Sequence, residues 1–144
     1  MLEAVIARLK DEVPALGKRV RGSADLVVLL KSGAKPPTGA SAYVLPLGTR
    51  GQKPDVMSGA YRQPVLRHIS VALFVSSLDR LGERGLDEAE TLIEEIVAAM
   101  IGWEPGEDAV GVFYLTAAEL IHFVDGIQVY EIQFAIEDQL RGTA

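Results

Sequence analysis

The chain has 144 residues, of which 49% are hydrophobic and 24% charged, with a formal net charge of −6 and no cysteine. That length holds one domain with a real core, and the lack of cysteine excludes disulfides and thiolate zinc sites and fits a reducing compartment. The apolar runs are strand-sized or broken by charge, which excludes a membrane-spanning helix; Glu3, Arg8 and Lys10 likewise interrupt the opening stretch that a signal peptide would need.

A first helix is predicted from Leu2 to about Val13. Its stripe is Leu2, Val5, Ile6, Leu9 and Val13, and Pro14 and Gly17 mark its end. Lys18 to Arg21 reads as a brief strand. Ser23 is the expected cap of a second helix, Ala24 to about Lys31, and Gly33 to Gly39 is loop. Ser41 to Leu47 reads as a strand whose Pro46 points to a sheet edge or bulge. From Gly48 to about Gln63 no periodicity survives, so a long loop is expected there. Val65 to Ser76 alternates clearly, with Ile69, Val71, Leu73 and Val75 on one side.

Leu78 to Gly85 is the expected turn into a third helix, Asp87 to Ile101. Asp87 and Glu90 form a capping-box-like pair, and Ala89, Leu92, Ile93, Ile96, Val97 and Met100 make an apolar side. Gly102 stops this helix, and the only tryptophan follows it. After a loop over Glu104 to Asp108, three strands are expected: Val110 to Thr116, Glu119 to Val124, and Ile127 to Glu137. Asp125-Gly126 is a strong hairpin signal between the last two. A two-residue turn there pairs Val124 with Ile127 and Ile121 with Tyr130. Ile121, Phe123, Tyr130, Ile132, Phe134 and Ile136 then share one face. Leu120, His122, Val124, Ile127 and Val129 take the other, which is too apolar to face water, so a neighbouring element or a second copy should cover part of it. The order of elements gives an α+β fold, a mostly antiparallel sheet with helices on one face and a C-terminal β-hairpin meander, in a single domain over residues 1–144.

Charge is unevenly distributed. Through Arg67 there are eleven Lys and Arg against five Asp and Glu; from His68 onward there are three against fifteen. The acidic half argues against ordinary duplex DNA binding, and opposite patches on one subunit suit identical subunits meeting in register.

Catalytic and ligand motifs are missing. His68 and His122 have no partner at metal-ligand spacing, and both fall in predicted strands. The sequence has no Gly-x-Ser-x-Gly elbow and no glycine-rich phosphate loop of either common form. Glu94 and Glu95 point apart on a helix, while Asp79, Asp87 and Asp125 sit at turns or caps. Tyr61-Arg62 is the only local hint of an aromatic-basic nucleic-acid platform. These residues give no metal, cofactor or catalytic assignment.

Three stretches resemble a known family: Val5-Ile6-Ala7-Arg8-Leu9-Lys10 leading through Pro14-Ala15-Leu16 to Arg19-Val20; Ala42 to Gly48, followed by a variable loop and Gln63-Pro64-Val65; and Ala98 to Pro105, around the tryptophan. The chain thereby resembles the tail terminator, or tail-completion, proteins of long-tailed bacteriophages and prophages. The resemblance implies a structural virion protein, not an enzyme, assembled in the host cytoplasm into a ring, typically a hexamer. Such a ring sits at the head-proximal end of the tail, caps the tube at its proper length and receives the head through its connector. DNA passes through the lumen without specific binding. The implied partners are other copies of the chain, the tail tube protein and the connector protein, with no membrane and no cofactor.

Within that frame Arg50, Lys53, Tyr61 and Arg62 are the candidate contacts to tube or connector. Leu120, His122, Val124, Ile127 and Val129 are the candidate subunit interface, and Trp103 is a structural hinge between helix and sheet. Alternative readings are a head-closure or connector component, and, from another class, a small metabolic enzyme or ligand-binding domain.

Overall fold

A computed structural model describes residues 1–33, 36, 38–57, 60–76, 83–106 and 111–143, with residues 56, 57, 60, 83–85, 124 and 143 described by their backbone alone. Its elements in chain order are α1 (Leu2–Glu12), β1 (Val20–Gly22), α2 (Ser23–Ser32), β2 (Gly39–Gly51), β3 (Asp55–Met57), β4 (Ala60–Ser76), α3 (Glu83–Met100), β5 (Tyr114–Val124) and β6 (Ile127–Thr143). The strands form one six-stranded sheet in the order β1-β2-β4-β6-β5, with β3 on β4 beside that path. All pairings are antiparallel except β1 with β2. The fold is α+β.

One face of the sheet holds the core. Ala42 and Val44 of β2, Val71 and Leu73 of β4, and Ile132 and Phe134 of β6 lie there almost without solvent exposure. α1 adds Val5 and Leu9, and α3 adds Ala89, Leu92, Ile96 and Met100 to the same cluster. The helical stripes read from the sequence are therefore the packed faces, and burying each large side chain contributes roughly 1.5–3 kcal/mol. α2 differs: it lies by the β1–β2 edge and buries no residue, with Val28 and Leu30 each 66% exposed.

Several expectations require correction. The predicted loop over Gly48 to Gln63 is largely strand. β2 continues through a bulge between Pro46 and Gly48 to Gly51, β3 occupies 55–57, and β4 begins at Ala60. β4 and β6 each run 17 residues and overhang the helices together with the end of β2. Among the described β4 side chains of this arm only Val65 is buried, so the sequence loses its period of two there. At its base Arg67 replaces the apolar row and pairs with Asp138 at 2.5 Å.

Two of the three predicted C-terminal strands are one strand. β5 carries bulges between Leu115 and Ala117 and between Leu120 and His122, which break the alternation and mimic a strand boundary. α3 starts at Glu83, so Asp87 and Glu90 lie inside it and form no cap. Gly22, not Ser23, is the N-cap of α2. The turn expected from Leu78 falls outside the described residues through position 82. Residues 34, 35 and 37 of the Gly33 to Gly39 loop, the end of the Glu104 to Asp108 loop and the strand start at Val110 are also outside them.

The Asp125-Gly126 turn has φ of 53° and 77°, and Val124 pairs with Ile127 across it. Positive φ at both central residues is the turn type that matches strand twist.

Candidate assembly surfaces

The helix-free face of the sheet presents Ser41, Tyr43, His68, Ser70, Ala72, Phe74, Val129 and Gln133. No described helix crosses its middle, although at its β2 edge Asp25, Val28, Leu29 and Ser32 of α2 line a cleft with Ser41 and Tyr43. Ser70, Ala72 and Val129 are nonetheless buried, shielded within the sheet by larger neighbours such as Tyr43 and Phe74, whose rings meet edge to face at 5.5 Å. The Oγ atoms of Ser41 and Ser70 and the Nε2 of His68 are buried without a hydrogen-bond partner among the described residues. Unpaired buried polar atoms are costly, so this face is left incompletely satisfied by the chain itself.

The five residues expected to share a subunit interface are divided. The bulge after Leu120 sets that residue opposite Tyr130, on the helix-bearing face, and leaves Ile121 outside the ladder. His122 opposite Val129, and Val124 opposite Ile127, stay on the helix-free face. His122 is exposed, Ile127 half-buried and Val129 buried; the Val124 side chain is outside the described residues. One bulge thus overturns the expected facing of Leu120 and Ile121.

Of the candidate partner contacts, Arg50, Lys53 and Arg62 are exposed on the arm. Arg50 and Arg62 point to the helix-free side, and Lys53 lies at the tip between β2 and β3. Tyr61 has a different setting. Its ring lies over Gly142, and its hydroxyl donates to Gln63 Oε1 at 3.2 Å. Gln63 Nε2 in turn donates to the Gln52 carbonyl at 3.1 Å. Tyr61 therefore braces the arm from within. Arg141, directly opposite Arg62 on β6, joins the basic set. Sequence reading missed it because the last strand was ended at Glu137; extending the hairpin register would have found it.

His68 lines a shallow cleft at the arm's base with Arg50, Thr116 and Gln133. His122 stands level with Val129 and His68 with Ala135, six residues apart on β6 or roughly 20 Å, too far to share a metal. Among the described residues no cluster of three or more possible ligands exists, and no helix is long and apolar enough to cross a membrane.

Trp103 sits where α3 hands over to the sheet. Gly102 takes a φ of 75°, a left-handed turn that costs other residues roughly 1–2 kcal/mol. Its N–H donates to the Phe113 carbonyl at 2.9 Å, and the Phe113 N–H donates to the Trp103 carbonyl at 3.1 Å. The Trp103 ring stacks on Phe113 with centroids 5.9 Å apart, and the Arg8 guanidinium lies 5.2 Å from the indole centroid. Arg8 Nε also donates to the Ala99 carbonyl at 3.0 Å. The junction thus ties α1, α3 and the approach to β5 together.

The surface thus combines a sheet face whose middle no described helix crosses, an arm with exposed Arg50, Lys53, Arg62 and Arg141, and a helix that buries none of its residues. The family described as phage tail terminator protein matches residues 1–144. The chain belongs to the phage tail terminator family. Membership makes it a structural tail protein of a phage-type virion. Among solved structures, a chain from a virion of a native gene transfer agent particle is similar, with a TM-score of 0.60 at 12% identity over 97% of this chain and 95% of that chain. That likeness is one of fold. A comparison with curated protein sequences finds no match.

Proposed function

We propose that copies of this chain form a ring that caps the phage tail tube, ends its elongation and offers the surface to which the head attaches. The family match across residues 1–144 carries this reading. Two features support it: the sheet face whose middle no described helix covers, and the arm with its exposed Arg50, Lys53 and Arg62. In this reading the task is mechanical, with no bond made or broken. The ring occupies the head-proximal end of the tail and is assembled from chains made in the host cytoplasm. Its acidic surfaces let DNA pass without sticking.

The arm is the proposed contact to tube or connector, through Arg50, Lys53 and Arg62, with Arg141 beside them. Deleting residues 49–63 would cut through three strands of the sheet, so substitution is the better test. An Arg50→Glu, Lys53→Glu, Arg62→Glu variant should keep its unfolding free energy within about 1 kcal/mol, since exposed changes cost little. It should lose attachment to purified tubes or connectors in co-sedimentation. Unchanged binding by a folded variant would remove the arm from this role. Imaging of labelled protein on intact tails checks the wider reading: label away from the head-proximal end would count against a terminator.

A further inference from the structure

The two ends of the sheet are unlike. At one end α2 buries nothing; Val27 and Leu30, three apart, share one exposed side, and Val28 is exposed on another. Arg19 and Arg21 line a cleft with Asp25 and Val28 of α2, and Lys31 stands in the helix's last turn. At the other end β5 is an edge strand of 11 residues with Leu120, Ile121 and Phe123 each 44–53% exposed. The described part of this segment, residues 111–125, contains Glu119 and Asp125 and no Lys or Arg. Glu90 of α3 adds to the negative field here: together with burial, its charge raises the pKa of Tyr130, which lies opposite Leu120.

We infer that α2 of one copy docks on the β5 edge of the next, Val27 and Leu30 packing against Ile121 and Phe123, so that successive subunits join head to tail. This rests on the ring reading only in taking the partner to be a second copy. Charge decides the pairing. Contact of α2 with α2 would set basic against basic, and β5 with β5 acidic against acidic, and both repel. Contact of α2 with β5 matches apolar to apolar and basic to acidic. Such a contact is heterologous, the kind that closes a ring or runs on as a filament. The two bulges also argue for a helix as the occupant, because they break the ladder that an added strand would need.

The natural chain has no cysteine, which gives a clean test. A Leu30→Cys, Ile121→Cys double variant treated with a short bis-maleimide should give a ladder of covalent oligomers, while each single variant stays monomeric on a denaturing gel. Both sites are exposed, so folding should be unaffected, and circular dichroism checks it. Independently, Ile121→Glu should raise the midpoint concentration for self-association at least about tenfold. Absence of a ladder from the folded double variant, or dimers from either single variant, overturns the proposal. Electron microscopy separates the two claims. Rings without a ladder leave the ring standing and remove these surfaces; a ladder from open filaments keeps the surfaces and removes the closed ring.

Discussion

Trp103 is the residue on which sequence and structure bear most directly, and its neighbours set what its loss should cost. The indole is half-buried, stacked on Phe113 and faced by Arg8, and it belongs to the rim of the core. Trp103→Ala should therefore destabilise the isolated chain by about 2–3 kcal/mol, less than a fully buried aromatic, with denaturant unfolding as the measurement. Arg8→Ala removes the hydrogen bond to Ala99 and the cation over the ring, and should cost about 1 kcal/mol. The Arg8–Glu12 ion pair, 3.3 Å long and on the surface, adds little to that figure. A double-mutant cycle should return a coupling of roughly 0.5–1 kcal/mol between the two residues. If Trp103→Ala instead leaves monomer stability unchanged and abolishes assembly, the residue is an interface anchor and not a hinge. The sequence contained the helix stop and the tryptophan after it. Phe113 and Arg8 were not legible as partners, because the first lies across a loop and the second is on another helix.

At the scale of elements, β4 divides into two halves with different physics. Residues 69–75 lie under the helices, and their alternation was plain because one side packs its large aliphatic side chains on α1 and α3 and the other carries Ser70, Ala72 and Phe74. Residues 60–67 belong to the arm, where only Val65 among the described side chains is buried, so the same strand gave no signal. Gly and Pro there added the appearance of loop, although strands tolerate them at edges and bulges. The β5 bulges hid continuity in another way, by shifting the alternation at Thr116 and Ile121. This division predicts a gradient in native-state hydrogen exchange. Amides of residues 71–75 should exchange only through global unfolding, and those of 61–66 at least ~100-fold faster through opening of the arm. Uniform protection along β4 would mean that the arm is as firmly held as the core. The arm's brace, Tyr61 to Gln63 to Gln52, is the specific place where opening should start to be resisted. A Gln63→Ala change should raise exchange at the tip and leave residues 71–75 as they are.

For the molecule as a whole, the charge count was legible and its placement was not. The sequence divides into a basic first part and an acidic second part, yet the arm mixes both, since Arg141 comes from the acidic part and stands beside Arg62. What the fold adds is an order across the sheet: β1 and α2 at one end, β5 at the other, with opposite charge on each. Separated patches of this kind act mainly on encounter. They orient approaching copies over about a Debye length, roughly 10 Å at 0.1 M salt, and hold them only weakly once docked. The apolar contact of α2 with β5 does the holding. Subunit association should therefore be sensitive to salt in its forward rate and insensitive in its reverse rate. Raising ionic strength from ~0.05 to ~0.5 M should slow association ~10-fold or more while dissociation changes less than about threefold, measured by stopped-flow light scattering. Lys31→Glu should lower the association rate at low salt and match the unmodified chain at high salt. An association rate indifferent to salt would detach the charge asymmetry from assembly and leave it as a property of solvated surface alone.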